Sequence, residues 1–278
     1  MKPLFDKVST ECSKITTRAY STSFSLGIRF LNKKYHAPIY SIYGFVRFAD
    51  EIVDTFHEFD KPYLLNKFRA DTYEAIAQNI SLNPILNSFQ AVVHRYQIEM
   101  PLIDLFLESM RMDLHKNLHN SNSYDEYIAG SAEAVGLMCL RVFSDNDNIM
   151  YNRLKPAAMK LGSAFQKVNF LRDLRADYEG LGRTYFPDVN LQRFTIRDKE
   201  KIEMEINEEF EEALKGIKQM PPASRRGVYL AYIYYKKLFS KIKSVPAEKV
   251  MKERIRISNG HKVGLMISSV LRHQMNLM

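Results

Sequence analysis

The chain has 278 residues, of which 46% are hydrophobic and 26% are charged, and its 11 Gly and 10 Pro are too few for an all-β protein with many tight hairpins. Its formal net charge of +8 favours anionic partners such as a phosphorylated small molecule or anionic lipid. Nucleic acid is excluded as the main partner, because the basic residues are scattered and form no recognised binding motif.

Apolar residues recur at helical spacing along nearly the whole chain, and no segment alternates with the period of a strand. The pattern predicts helices, in chain order, at residues 38–59, 61–80, 84–99, 101–115, 124–144, 150–178, 198–220, 224–243, 246–257 and 262–275. Loops are predicted at residues 117–123 and 145–148, and a further loop with glycines and a proline follows residue 178. We therefore expect one all-helical domain spanning residues 1–278, without repeats or linkers.

The first unusual stretch is FVRFADEIVD, residues 45–54, where two aspartates lie one helical turn apart in an apolar run. Asp50 and Asp54 repel each other at this spacing, and buried carboxylates are costly unless a positive charge meets them. Arg47 lies three residues before Asp50 and supplies one such charge. Alone, a DxxxD motif is more often an ordinary surface or salt-bridged pair.

A second acidic stretch, residues 162–187, carries Gln166, Asn169, Asp173 and Asp177 at spacings of three, four and four residues. A helix puts these four side chains on one stripe. Two such motifs on separate helices indicate Mg²⁺ held by carboxylates and by the phosphate oxygens of a substrate. The neighbouring arginines would bind further phosphate oxygens, and a metal-bound diphosphate is a good leaving group.

The chain resembles the squalene/phytoene synthase family, and most of all its bacterial phytoene synthases, from about residue 21 to about residue 256. The resemblance rests on six ordered blocks: YSTSFSLG (20–27), IYGFVRFADEIVD (42–54), YIAGSAEAVGLM (127–138), LGSAFQKVNFLRDLRADY (161–178), GRTYFP (182–187) and YYKKLFSKI (234–242). It implies an all-α fold, namely a single-domain class I isoprenoid synthase helical bundle with a central active-site cavity.

The resemblance also implies roles for individual residues. The residues that match catalytic positions are Tyr43, Arg47, Asp50, Asp54, Asn169, Asp173, Asp177 and Tyr185. The metal ligands among them would be Asp50, Asp54, Asn169, Asp173 and Asp177, and the resemblance implies Mg²⁺ or Mn²⁺ as the metal. The residues that match substrate-binding positions are Ser21, Ser23, Phe24, Arg47, Gln166, Arg172, Arg183, Tyr235 and Arg254. The spacing before Tyr235 and Arg254 is not fixed in the family.

The reaction implied by the resemblance is a head-to-head condensation of two geranylgeranyl diphosphates through prephytoene diphosphate to phytoene, a carotenoid precursor. Two alternatives stay open. A squalene or dehydrosqualene synthase would use farnesyl diphosphate with the same motifs, and squalene formation would also need NADPH. A non-catalytic helical assembly protein of the same fold would be favoured by loss of either aspartate pair, and both pairs are intact.

The chain departs from the family pattern in two ways. The block that usually reads VAGTVG is SAEAVG here, residues 131–136, so Glu133 stands where glycine is common. A glutamate paired locally with a cation is the simpler interpretation, and a charge that acts on the second ionisation is the alternative. The loop between Asp177 and Arg183 looks one residue longer than usual, which affects where Arg183 lies.

The sequence also predicts where the protein works. Cys12 and Cys139 form neither a disulfide framework nor a CxxC metal site, which predicts a reducing, cytoplasmic compartment. The N-terminal segment lacks the apolar core of a secretory signal, and no run approaches the ~18 apolar residues that span a bilayer. We expect a lipid-like substrate and a basic surface to favour peripheral contact with the inner face of the membrane. His115 and His119 form an i, i+4 pair near a loop, and we do not expect them to bind metal.

Overall fold

The computed structural model describes residues 1–115, 120–181, 185–187, 189, 191–251 and 255, without the side chains of residues 115, 176–181 and 192. This part of the chain is helical and contains no β-strand, as predicted. The helices are α1 (Lys2–Tyr20), α2 (Thr22–Arg29), α3 (His36–Asp54), α4 (Lys61–Gln78), α5 (Pro84–Tyr96), α6 (Met100–His115), α7 (Ser121–Ile128), α8 (Val135–Ser144), α9 (Asn148–Leu181), α10 (Ile196–Gln219), α11 (Pro222–Lys243) and α12 (Ala247–Val250). A π-helical segment, Ala129–Ala134, joins α7 to α8, and short 3-10 turns lie at Lys33–Tyr35 and Leu191–Arg193.

Several helices begin at a side chain that accepts a hydrogen bond from the first turn. Asp60 accepts from the backbone N–H of Tyr63 at the start of α4, and Asn83 accepts from Ile85 at the start of α5. Thr195 forms a full capping box with Asp198 at the start of α10. Such caps satisfy backbone donors that the first turn leaves without a partner, so the polar residues between the apolar runs fix where the helices begin.

The first half of the fold is built around α3, which packs against α1, α4, α5, α6 and α8. Phe45 of α3 is fully buried and stacks on Phe89 of α5, with ring centroids 3.9 Å apart. Phe106 of α6 meets the same ring at 5.3 Å. Because one side of α3 supplies this aromatic core, its other polar and acidic side chains are held at defined positions on a rigid helix.

The second half is built around α9, which packs along α10 and also contacts α8, α11 and the π-helical segment. Phe210 of α10 lies fully buried at its centre, against Tyr232 and Phe239 of α11. Helix α11 also packs against α2, so it connects the second half to the N-terminal helices.

The observed helices differ from the predicted ones at several ends. The helix predicted at 38–59 ends at Asp54, and the loop predicted at 117–123 is shortened because Asn120 caps α7 in a capping box. The helix predicted at 246–257 is confined to α12 within the described residues, and the one at 262–275 lies outside them. Helices α1 and α2 had no counterpart in the prediction. No helix in the described part of the chain is both long and apolar enough to cross a membrane.

Candidate active site

Helix α3 carries the first aspartate motif near its C-terminal end, and an arginine is bound between two carboxylates there. Nη1 of Arg47 donates to Oδ2 of Asp50 at 2.6 Å, and Nε of Arg47 donates to Oε2 of Glu51 at 3.0 Å. Burial lowers the pKa of Arg47, but Asp50 and Glu51 outweigh it, so the net shift is upward. Asp54 is the last residue of the helix and is half-buried.

An aromatic ring lies against the same arginine. The guanidinium carbon of Arg47 is 4.3 Å from the ring centroid of Tyr20, the last residue of α1. The hydroxyl of Tyr20 is also a hydrogen-bond partner of Glu51. Burial raises the pKa of Glu51, and its hydrogen bonds to Arg47, Thr55 and Tyr20 reverse that effect, so the net shift is downward. The carboxylate therefore stays ionised and holds Arg47 in position.

The predicted hydroxyl motif lies beside this cluster. Ser21 caps α2 by accepting a hydrogen bond from the backbone N–H of Phe24 at 3.2 Å, and it is also a partner of the Tyr43 hydroxyl. The rings of Phe24 and Tyr43 are 5.1 Å apart, and Ser23 is half-buried in the first turn of α2. Burial raises the pKa of Tyr43, so its hydroxyl stays protonated and can donate a hydrogen bond.

Helix α9 carries the second aspartate motif with the same pairing of charges. Nε of Arg172 donates to both carboxylate oxygens of Asp173 at 3.1 Å. Burial lowers the pKa of Arg172, but Asp173 more than compensates, and the net shift is upward. The guanidinium therefore stays charged, as a binding partner for phosphate oxygens requires.

Tyr235 of α11 reaches the second motif. Its hydroxyl donates a hydrogen bond to the side-chain oxygen of Asn169 at 3.3 Å, and its ring stacks on Phe165 with centroids 3.9 Å apart. Burial raises the pKa of Tyr235, which keeps the phenol protonated. Gln166 is half-buried on the same stripe of α9 as Asn169 and Asp173.

Tyr235 also interacts electrostatically with residues of α9 and α3. The charges of Arg172 and Asp173 on α9 act on the pKa of Tyr235, and Tyr235 is the smallest of the influences on the pKa of Tyr43 on α3. The hydrogen bond of Tyr235 is to the second motif, through Asn169.

A divalent cation at the predicted aspartates would need a substrate to complete its ligands. Within the described residues, no three His, Cys, Asp or Glu side chains form a ready-made metal cluster. Mg²⁺ is commonly held by one or two carboxylates together with substrate phosphates and water, and Asp50, Asp54 and Asp173 offer carboxylate oxygens of that kind. The side chain of Asp177 lies outside the described residues, as do Arg183, Arg254 and the whole of His119.

Tyr185 occupies an aromatic cluster that borders the second motif on α9. It is buried, its ring stacks on Phe170 with centroids 4.0 Å apart, and Tyr127 lies at 5.3 Å. On a helix, Phe170 lies about 60° from Asp173 and about 40° from Gln166, so these contacts pack beside the stripe of the second motif. The contacts seen for Tyr185 support the helix that carries Asn169 and Asp173.

Glu133 lies in the π-helical segment, half-buried and with no ion pair or hydrogen bond to any other residue that the structure describes. Burial raises its pKa, and the charges that act on it come next from Lys160 and Glu209. The expected local ion pair is therefore missing from the described part of the chain. Single-turn π-helical insertions are rare and often occur at functional sites.

Comparison with known proteins identifies what the chain is similar to. A family model for squalene/phytoene synthase matches residues 17–261. The chloroplastic phytoene synthase of Narcissus pseudonarcissus is 26% identical over 274 residues, which cover 88% of this chain and 60% of that protein. The presqualene diphosphate synthase of Sinorhizobium fredii is 32% identical over 195 residues, covering 66% of this chain and 65% of the relative. The chain thus spans about three fifths of the length of the Narcissus phytoene synthase and of phytoene synthase 1 of Solanum lycopersicum.

Solved structures share the fold at lower sequence identity. A dehydrosqualene synthase crystallised with a ligand has a TM-score of 0.83 and 19% identity, over 97% of this chain and 98% of the other. A squalene synthase from Alicyclobacillus acidocaldarius has a TM-score of 0.76 and 21% identity, over 87% and 95% of the two chains. These similarities confirm the predicted helical fold of the isoprenoid synthase type.

Proposed function

Because the chain belongs to the squalene/phytoene synthase family, we propose that it is a phytoene synthase that condenses two geranylgeranyl diphosphates head to head. The supporting observation is the presence of two Asp–Arg pairs on separate helices, Asp50 with Arg47 on α3 and Asp173 with Arg172 on α9. Two cationic side chains beside two sets of carboxylates suit substrates that carry a diphosphate each.

The proposed reaction has two balanced halves. In the first half, the C–O bond of one diphosphate breaks, the resulting allylic cation is attacked by the double bond of the second substrate, and one proton is lost as a cyclopropane closes. One diphosphate leaves in this half. In the second half, the remaining diphosphate leaves, the carbon skeleton rearranges, and loss of a second proton gives phytoene.

The chain's own residues would bind and orient the leaving groups. Arg47 and Arg172 would donate to diphosphate oxygens in the fork geometry of a guanidinium, and their raised pKa values keep them charged. The hydroxyls of Tyr43 and Tyr235 would donate further hydrogen bonds to the developing negative charge. Mg²⁺ held by Asp50, Asp54, Asn169 and Asp173 would neutralise charge on the leaving diphosphate.

A farnesyl diphosphate substrate is the second candidate. The supporting observation is the 32% identity to a presqualene diphosphate synthase, which exceeds the 26% identity to the Narcissus phytoene synthase. The same Asp–Arg pairs would act in both reactions, so the difference lies in the length of chain that the apolar interior accepts.

The deciding experiment is a product analysis. Purified protein is incubated with Mg²⁺ and either geranylgeranyl diphosphate or farnesyl diphosphate, the latter with and without NADPH, and the lipids are extracted. A C40 hydrocarbon from the C20 substrate supports the proposal, whereas a C30 product, or presqualene diphosphate, would favour the second candidate. Product formation that persists in EDTA would contradict the role given to the aspartates.

A further inference from the structure

Helix α1 turns its apolar side outward. Leu4, Val8 and Ile15 are 66%, 50% and 60% exposed, and their spacings of four and seven residues put them on one stripe. The face that α1 buries is made of hydroxyl side chains, Ser9, Ser13 and Thr17. A surface helix of a globular protein normally shows the opposite arrangement, with its apolar stripe against the core.

The hydroxyl face is fixed by packing, so α1 cannot rotate to bury the stripe. Oγ of Ser13 lies 2.7 Å from Oγ of Ser88 on α5, and the amide of Asn87 on α5 donates to Oγ of Ser9 at 3.1 Å. The small side chains also allow a close approach to α3, where a Cβ added at Gly44 would lie 2.9 Å from Ser13 Oγ. Leu4, Val8 and Ile15 are therefore held outward by the native contacts of the helix.

A basic stripe runs alongside the apolar one. Lys7, Lys14 and Arg18 repeat the spacings of seven and four residues, and Lys7 and Lys14 directly precede Val8 and Ile15, about 100° away around the helix. Lys7 and Arg18 are exposed and form no ion pair with another described residue.

Lys14 differs from the other two basic residues because it pairs with Glu11, Nζ to Oε1, at 2.7 Å. Glu11 is exposed on the apolar stripe itself, seven residues after Leu4, and this ion pair offsets its charge. Together the two stripes form the arrangement of an amphipathic helix that lies in the plane of a membrane surface.

The exposed stripe leads to the candidate active site. Helix α1 is about 28 Å long at 1.5 Å per residue, and it ends at Tyr20, whose ring lies against Arg47. Phe24 and Phe48 are exposed near this end. A substrate with a long hydrocarbon chain would therefore leave a surface in contact with α1 close to Arg47.

We propose that α1 is the surface by which this protein lies on an anionic lipid bilayer, with Leu4, Val8 and Ile15 in the headgroup region and Lys7 and Arg18 at anionic headgroups. The link to substrate entry rests on the proposed function, whereas the contact itself does not. A second copy of the chain fits the stripe less well. Three side chains on one helix offer far less than the roughly 800 Å² per partner that a stable dimer buries.

The test is flotation of the full chain with vesicles of phosphatidylcholine that contain or lack phosphatidylglycerol. The wild type is expected to float with anionic vesicles. The variant L4Q/V8Q/I15Q should partition at least about tenfold more weakly, because the apolar contact is lost. Its matched control is I149Q/I196Q/M204Q, which removes three side chains that are 82%, 55% and 66% exposed on α9 and α10. The control should bind as the wild type does.

A charge variant separates the electrostatic contribution. K7Q/R18Q should weaken binding to anionic vesicles by about fivefold per charge removed and leave binding to neutral vesicles unchanged. Equal flotation of the two triple variants would overturn the proposal. So would a wild type that does not float, or an α1 triple variant whose only change is from dimer to monomer in size-exclusion chromatography with light scattering.

Turnover is measured separately, in detergent micelles that present the substrate without a bilayer. L4Q/V8Q/I15Q should retain wild-type condensation there, since these three side chains have no assigned role in catalysis or in binding the substrate. A wild type that floats but makes no product would count against the proposed function and leave the bilayer contact standing. Circular dichroism of each variant confirms that α1 remains folded.

Discussion

The guanidinium of Arg47 lies on the face of the Tyr20 ring, at 4.3 Å from its centroid, while its nitrogens donate to Asp50 and Glu51. Arg47 is thus held from two sides, by charge along α3 and by an aromatic ring at the end of α1. A single flexible side chain that must meet a diphosphate loses less conformational freedom on binding when it is fixed in advance. Tyr20 is therefore a positioning residue that nothing in the spacing of the motifs had indicated.

Replacing Tyr20 tests this relationship. Loss of a cation–π contact at an exposed site costs about 0.5–1 kcal/mol, so Y20L should lower kcat/KM of the condensation by roughly two- to fivefold, mainly through KM. Y20F keeps the ring and should retain most of the wild-type value. Steady-state kinetics on the three proteins make the comparison. An equal loss in Y20F and Y20L would assign the effect to the hydroxyl and its bond to Glu51 instead.

The two aspartate motifs should both be necessary for turnover. D50N and D173N each remove a carboxylate charge next to an arginine, and we expect at least about a hundredfold loss of product formation with unchanged helical content. The matched control is D71N, because Asp71 is an aspartate of α4 that pairs with Lys67. Product assays and circular dichroism are the measurements. A D173N protein with near-normal turnover would contradict the assignment of α9 to the reaction.

The sequence predicted the helix that carries Gln166, Asn169 and Asp173, and helical spacing alone puts these three on one stripe. It could not show that Tyr235 reaches Asn169, since that contact joins residues 66 positions apart and depends on how α11 packs on α9. Aromatic contacts such as those of Tyr20 and Phe165 are equally long-range facts of packing.

Helix α1 was not predicted from the sequence, and the reason is informative. Periodicity detects a helix by assuming that apolar residues mark the buried face. In α1 the buried residues are Ser9, Ser13 and Thr17, and the apolar residues face outward. No apolar stripe marks the buried face, so the helix was not predicted. The end of α3 was missed for a different reason. Apolar Phe56 and Phe59 extend the pattern past Asp54, although the backbone leaves the helix at Thr55.

The buried ion pair between α9 and α10 should be costly to break from one side. Nζ of Lys167 lies 2.8 Å from Oε1 of Glu209, and both side chains are almost fully buried. Ser163 donates to the same oxygen at 2.8 Å. K167M leaves the buried Glu209 carboxylate with only the longer contact to the exposed Lys160, Nζ to Oε1 at 3.4 Å. We therefore expect the free energy of unfolding to fall by about 3 kcal/mol in urea titration, the low end for a broken buried pair.

Two further variants serve as controls for the urea titration of K167M. K215M removes the exposed partner of Glu212 on α10 and should change stability by less than about 1 kcal/mol. The double variant K167M/E209Q removes both buried charges and should recover part of the loss. A K167M protein as stable as the K215M protein would mean that Glu209 is protonated or solvated in the variant. That result would contradict a tight ion pair between Lys167 and Glu209.

Glu133 gives a prediction with a defined pH dependence. Burial raises the pKa of its carboxyl in the folded protein above the value in the unfolded chain. Folding then favours the protonated form, so this group contributes stability that is present below its unfolded pKa of about 4.3 and is lost as the pH rises through the folded pKa. At neutral pH the folded protein therefore carries the cost of a partly buried charge without an ion pair among the described residues.

E133Q keeps the shape of the side chain and removes its titration. It should melt at a higher temperature than the wild type at pH 7–8, and the difference should shrink as the pH is lowered toward 4. Each 1 kcal/mol gained corresponds to about 2–4 °C for a chain of this size. Thermal melts across that pH range, with E126Q on the exposed side of α7 as control, make the measurement. A wild type that is the more stable protein at pH 7–8 would mean that the Glu133 charge is favourably bound, because Lys160 then outweighs the burial of the carboxylate.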